Sequence, residues 1–338
     1  MKKTASLLSV VMLLVCVPMA MAGDFHHGAT LVCSDCHVMH YSQSHGYNND
    51  GTGIYTPLGS AGPYEYLLRN DINSLCLTCH DGSSFAPDVL GPNANSYVRQ
   101  AGALNRPGTG NAATGHTLDE TAVAPGSNPP WSDSHGLNCT SCHQPHGYNP
   151  NGNAYRNLKH DPGNGFGYPG IIITYATGAN VLTEDVYQVA AGPMATHYSW
   201  DNIYFNEPDP TASAYAQFCK GCHTDFHGAR GGLELGGATG TEWLRHPTND
   251  ADIGAVGGGH SSLGVFTGLT NRVQVMSASG VWSPPAADNT PSCMSCHKSH
   301  GNQNAFGLIY MSGTGTVTEQ GDDGTTAKEL CKQCHVQG

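Results

Sequence analysis

The chain has little charge and little periodicity. Only 12% of its 338 residues are charged, and 14 basic residues stand against 26 acidic ones. Basic stripes that would follow a phosphate backbone are missing, and so are cationic patches for anionic lipid. Aromatic residues make up 8% of the chain. Apolar positions at helical spacing are scarce, while 44 Gly and 20 Pro interrupt the chain throughout. A domain of this length with an ordinary core has more regular patterning and fewer breakers. The one long apolar run, Leu7 to Val17, is too short to span a bilayer as a mature helix. No second membrane-spanning candidate follows it.

That run is preceded by Lys2 and Lys3 and followed by Ala20-Met21-Ala22. Residues 1–22 therefore read as a Sec signal peptide with an A-x-A cleavage site, and the mature body as residues 23–338. Cys16 raises a lipoprotein alternative, against which Val15 occupies a position that calls for a small residue. Without Lys2 and Lys3, 12 basic and 26 acidic residues remain, a formal charge of −14. Such a chain suits solubility outside the cell or cationic partners, and not nucleic acid.

What the chain does have is ordered cysteine. Of 13 cysteines, all but Cys16 fall into copies of C-x-x-C-H. They are Cys33, Cys36 and His37; Cys76, Cys79 and His80; Cys139, Cys142 and His143; Cys219, Cys222 and His223; Cys293, Cys296 and His297; and Cys331, Cys334 and His335. This is the attachment signature of c-type haem. Two thiols three residues apart each form a thioether to a porphyrin vinyl group, and the next residue lies where an imidazole nitrogen ligates the iron. Zinc sites do not need a His after every second Cys, and disulfides do not keep one spacing six times. The sequence thus predicts six covalent haems (Fe), the cysteines as tethers and the motif histidines as proximal ligands.

The opposite axial position decides the chemistry. Thirteen histidines lie outside the motifs. His40, His146 and His300 stand at one offset, three residues after a motif His, which aims each away from its own haem and towards an adjacent one. His116, His246 and His260 lie in loops beside Gly or Pro, and His26 precedes the first motif. These are seven distal candidates for six positions. Methionine is the rival ligand and would raise the potential. Met39 and Met294 are poorly placed towards their own haems, and Met194, Met276 and Met311 remain. All-bis-His ligation predicts low-spin iron, low potentials and no open position.

The fold expected is mostly irregular coil with short helices and very few strands, wrapped around a continuous chain of haems. Helices are expected at Tyr64 to Leu75 and Ala212 to His223, and strands at Ile171 to Tyr175, Val186 to Ala190 and Val273 to Val275. C-x-x-C-H, an isolated loop His, then C-x-x-C-H-x-x-H-G occurs at 76–147 and again at 219–301. It reads as an internal two-haem duplication within one body.

Several stretches carry a family resemblance. They are Phe25-His26, Val38-Met39-His40, Cys139-x-x-Cys142-His143-x-Pro145-His146-Gly147, Thr224-Asp225-Phe226-His227, Leu244-Arg245-His246-Pro247 and Gly259-His260. With the six motifs in order, the chain resembles the OmcS-like hexahaem outer-surface cytochromes. These polymerise into extracellular conductive filaments in metal-reducing bacteria. The linkers here differ, and the chain is shorter. The resemblance implies bis-His haems stacked in parallel and T-shaped pairs along a filament. It also implies that His40 ligates, in a neighbouring copy, the haem of Cys293 and Cys296.

Three functions are weighed. The first is electron transfer as a protomer of an extracellular filament, with copies of itself as partners and other cytochromes or mineral and metal acceptors at its ends. The second is a periplasmic or outer-membrane-associated electron shuttle. The third is a multihaem reductase. An enzyme needs an exchangeable axial position, for which a C-x-x-C-K motif would be the sign, and the chain has none. The expectation is a carrier and not an enzyme.

Overall fold

The computed structural model describes residues 26, 31–37, 64–83, 86, 88–91, 101–108, 114–127, 130–146, 157–163, 171, 205–206, 214–224, 276–277, 291–302, 304–309 and 328–331. The leader, His40, His246, His260, Cys334, His335 and the expected strands at 172–175, 186–190 and 273–275 lie outside these. Among the described residues, no helix is long and apolar enough to cross a membrane.

The elements are short. Helices α1 (Cys33–Cys36), α3 (Cys139–Cys142) and α5 (Cys293–Cys296) are single turns made by the motifs themselves. Helices α2 (Ile72–His80) and α4 (Ala214–Lys220) are longer and reach a motif at their C-terminal ends, and α6 is Lys328–Cys331. A two-residue parallel pairing of β1 (Phe205–Asn206) with β2 (Met276–Ser277) is the ladder seen. Apart from two 3-10 turns, Glu65–Leu67 and Ala305–Gly307, the rest of the described chain is coil, as expected for so many Gly and Pro.

The helix expected from Tyr64 to Leu75 does not form as one element. Glu65–Leu67 is a 3-10 turn in which Tyr66 and Leu67 take φ of 58° and 56°, and Leu68 is extended. Asp71 then opens α2 by accepting from the Ser74 amide at 2.9 Å. A side-chain cap of this kind is worth about 1 kcal/mol and fixes the start of the helix. The expected helix at 212–223 is present as α4, within those bounds.

Among the described residues apolar burial is sparse. One cluster joins Leu90, Leu104 and Leu118, with Leu77, Val89 and Cys139 against it. Polar groups do much of the holding. Asn73, buried on α2, donates to Asp119 at 2.7 Å and to the Leu137 carbonyl at 3.1 Å, and accepts from the Cys139 amide at 3.1 Å. It ties the second motif's helix to the start of the third motif. Stranding those partners would cost about 1–3 kcal/mol.

Candidate haem ligands and tethers

The single-turn motifs end alike. After α1, α3 and α5 the motif His is extended, with φ from −108° to −114° and ψ near 150°. Each forms an antiparallel bridge to a leucine: His37 with Leu68, His143 with Leu158, His297 with Leu308. The residue after that leucine donates its amide to the second cysteine's carbonyl: Arg69 to Cys36 at 2.9 Å, Lys159 to Cys142 at 2.8 Å, Ile309 to Cys296 at 2.8 Å. The residue before it is left-handed in all three: Leu67, Asn157 and Gly307, with φ of 56°, 52° and 65°. This leucine latch pins the odd-numbered motifs. The even ones, second and fourth, are held by α2 and α4 instead.

The latches also orient imidazoles. His37 Nδ1 donates to the Tyr66 carbonyl at 3.0 Å and His297 Nδ1 to the Phe306 carbonyl at 2.8 Å. Tyr66 and Phe306 are themselves left-handed, at φ of 58° and 59°. Such a conformation costs a non-glycine residue roughly 1–2 kcal/mol, and here it accompanies a carbonyl turned onto a histidine. Three more Nδ1 atoms donate to backbone carbonyls: His26 to Pro145 at 3.3 Å, His116 to Ser299 at 2.7 Å and His223 to Pro125 at 2.8 Å. A carbonyl only accepts, so in all five rings the hydrogen sits on Nδ1 and the Nε2 lone pair is left for a metal.

Motif and non-motif histidines meet in pairs. Ring centroids lie 6.1 Å apart for His26 and His80, 5.8 Å for His37 and His146, 6.0 Å for His116 and His223, and 6.2 Å for His143 and His300. Two imidazoles that share one metal through Nε2, at about 2 Å each, have centroids roughly 6 Å apart. The residues therefore fit an iron held between two imidazoles at four positions. Haem bound there would supply a one-electron Fe(III)/Fe(II) couple. Burial lowers His26 and His223, and holds His116 at about 4 and His300 at about 3. Neutral rings, the ligating form, are favoured.

His116 and His300 are fixed together. The 298–302 segment threads between 101–105 and 114–118. Ala103 donates to the Gly301 carbonyl at 3.0 Å, His116 to the His300 carbonyl at 3.0 Å, and Asn302 to the Thr114 carbonyl at 3.0 Å. Gly102 and Gly301 permit this crossing. A Cβ on Gly102 would lie 1.7 Å from the Gly301 carbonyl oxygen.

The cysteines run as a ladder. Cys36 feels Cys76 and Cys79, Cys139 hydrogen-bonds with Cys76, and Cys142 feels Cys219. Burial raises Cys36 and Cys79 and pushes Cys142 up to about 11. Cys76 is the exception, lowered by its hydrogen bond with Cys139. Helix α2 packs on α3, and α4 on α5, so consecutive motifs adjoin in space.

Of the sequence candidates, His26, His116, His146 and His300 are each brought to a motif His; His40, His246 and His260 lie outside the described residues. Met294 is buried in α5. The latch leucines, the accepting carbonyls, the glycine crossing and Asn73 were not anticipated.

A family model described as "Doubled CXXCH motif" matches residues 284–338, which hold the fifth and sixth motifs. The chain is also similar to a solved structure titled "Cryo-EM of the OmcS nanowires from Geobacter sulfurreducens". Identity is 19%, with 93% of this chain and 95% of that one covered, at a TM-score of 0.42. No curated protein matches the chain. Six C-x-x-C-H motifs, the last two within the doubled-motif match, give the chain the attachment signature of c-type haem.

Proposed function

We propose that the chain carries electrons through six bis-His c-type haems as a protomer of an extracellular filament. The observation that supports this most is the set of four imidazole pairs, because it follows a rule. The histidine three residues after the third motif His faces the first motif, and the one after the fifth faces the third: His146 with His37, His300 with His143. Each odd-numbered motif thus receives a ligand from the odd-numbered motif that follows. The fifth motif has no successor within the chain, and His40, after the first motif, has no predecessor to serve. A second copy satisfies both, with His40 of one protomer ligating the Cys293/Cys296 haem of the next. The rule then extends along a polymer without change.

The even-numbered motifs follow a second rule. His26 lies before the first motif and faces the second; His116 lies before the third and faces the fourth. The sixth motif accordingly takes a His from before the fifth. His260 follows a glycine as His116 does, and is our choice, which leaves His246 as the surplus candidate. In this reading every iron is six-coordinate, so electrons pass and no substrate is turned over. In this reading the 1–22 leader exports the chain from the cytoplasm, and a further step places the filament at the outer surface, where it serves extracellular respiration.

The test is electron microscopy of haem-stained material sheared from cells, with the wild-type chain and with His40→Ala. Haem-positive filaments are expected from the first and discrete particles, still carrying six haems, from the second. Filaments that persist in His40→Ala would remove the ligand exchange between copies. A wild-type chain that is monomeric and fully loaded would leave the carrier and point to a shuttle or conduit subunit.

A further inference from the structure

Trp131 carries a buried donor without an acceptor. The residue is 7% exposed, and its indole Nε1–H meets no oxygen among the described residues. An indole nitrogen donates and never accepts, and a buried one nearly always finds a partner.

The backbone around it is clamped to two motifs. The Ala124 amide donates to the Trp131 carbonyl at 2.9 Å, and the Trp131 amide donates to the Ser127 hydroxyl at 3.0 Å. Between those partners, the Pro125 carbonyl accepts from His223 Nδ1 at 2.8 Å and the Gly126 carbonyl from the Thr224 hydroxyl at 3.4 Å. Two residues past Trp131, Asp133 accepts from the Ser141 hydroxyl of α3 at 3.2 Å. The indole thus hangs between a tie to the fourth motif's His and a tie to the third motif's helix.

The acceptors described along this segment are already in use. The Ala124 carbonyl takes the Ser127 amide and hydroxyl, and the two Asp133 carboxylate oxygens take the His135 amide and the Ser141 hydroxyl. An ordered water would need two or more such groups to spare. The acceptor that suits Trp131 therefore comes from outside the polypeptide. Every haem brings a pair of propionate carboxylates. Without Lys2 and Lys3 the chain has 12 Lys and Arg, and Arg106 already holds Asp81 at 3.0 Å. Neutral N–H donors are needed to hold the remaining carboxylates, and such a bond to an ionised acceptor is stronger than one between neutral groups.

We propose that Trp131 Nε1–H donates to a propionate carboxylate of the haem tethered at Cys219 and Cys222. This rests on the reading above that the motifs carry haem. The role is one of positioning. The loop that turns its Pro125 carbonyl onto the proximal His223 also holds the rim of the same porphyrin, and an ionised carboxylate is kept in the interior without a cation.

The experiment is resonance Raman spectroscopy of the purified full chain, loaded with haem and read at the propionate bending bands. Haem is counted first in each variant. Trp131→Phe keeps an aromatic ring and removes the N–H, while Trp131→Gln keeps an N–H and removes the ring. A hydrogen bond stiffens the carboxylate bend, so Trp131→Phe should move one component to lower frequency and Trp131→Gln should leave it at the wild-type position. A Trp131→Phe spectrum that overlays the wild type, or the same shift in both variants, would overturn the bond. In a chain already lacking the fourth haem, Cys219→Ala with Cys222→Ala, Trp131→Phe should change nothing more; a further shift there would overturn the assignment to that haem. If Trp131→Phe fails to load, ultraviolet resonance Raman of a chain with Trp200, Trp243 and Trp282 changed to Phe reads the remaining indole directly. Its N–H band is expected at the hydrogen-bonded position, and a free indole N–H would overturn the proposal. A wild-type chain without haem at Cys219 and Cys222 would overturn the underlying reading instead.

Discussion

Gly102→Ala is expected to cost about 4 kcal/mol or more and to release two distal histidines at once. Two effects add. Gly102 has φ of +74°, a region that costs an L-residue roughly 1–2 kcal/mol. The new Cβ would also lie 1.7 Å from the Gly301 carbonyl oxygen, which cannot be accommodated without moving one backbone off the other. That separation breaks the Ala103 to Gly301 hydrogen bond and displaces the segment whose His300 carbonyl receives the His116 amide. His300 faces His143, and His116 faces His223, so the third and fourth motifs would together lose the opposite ligands proposed for them. Thermal unfolding and the ferric spin state check this. The expected result is a lower Tm with about a third of the iron converted to high spin.

The double change Cys139→Ala with Cys142→Ala is expected to leave five haems and break the chain of centres in the middle. Cys139 meets Cys76 and the Cys142 thiol feels Cys219, so this motif is within electrostatic reach of both the second and the fourth. Cys139 also packs on the Leu90, Leu104 and Leu118 cluster. Where the described residues bury so few apolar side chains, a porphyrin that buries several hundred Å² at ~25 cal/mol per Å² contributes on the order of 10 kcal/mol. Haem stoichiometry should fall from six to five, and denaturant resistance should fall with it. A five-haem protein as stable as the wild type would show that the polypeptide, and not the porphyrin, supplies the interior.

The chemistry was legible in the sequence because it is covalent and local. C-x-x-C-H fixes the tethers within five residues, and the one-turn helices α1, α3 and α5 are the first four of those five. The offset of His146 and His300 could be read as pointing away from their own motif. Which motif they meet could not, since His146 faces a ring 109 positions earlier in the chain. The long-range order is set by backbone contacts at Gly102, Gly115 and Gly301, and glycines scattered among 44 carry no visible mark of which ones touch. The latch was partly readable. Asn304-Ala305-Phe306 before Leu308 echoes Asn153-Ala154-Tyr155 before Leu158, but Tyr64-Glu65-Tyr66 before Leu68 breaks the echo. The Tyr64 to Leu75 spacing resembled one helix because the apolar residues recur at helical intervals. The left-handed pair Tyr66 and Leu67 prevents it, and the carbonyl aimed at His37 accounts for their position.

The claim on which the rest depends is that a second histidine stands opposite each motif histidine. Low-temperature electron paramagnetic resonance of the fully oxidised, fully loaded chain tests it most directly. The account predicts low-spin bis-imidazole signals for all six irons in the polymer, with no high-spin component. A high-spin fraction of one sixth or more in intact filaments, or a methionine-ligated centre, would contradict it.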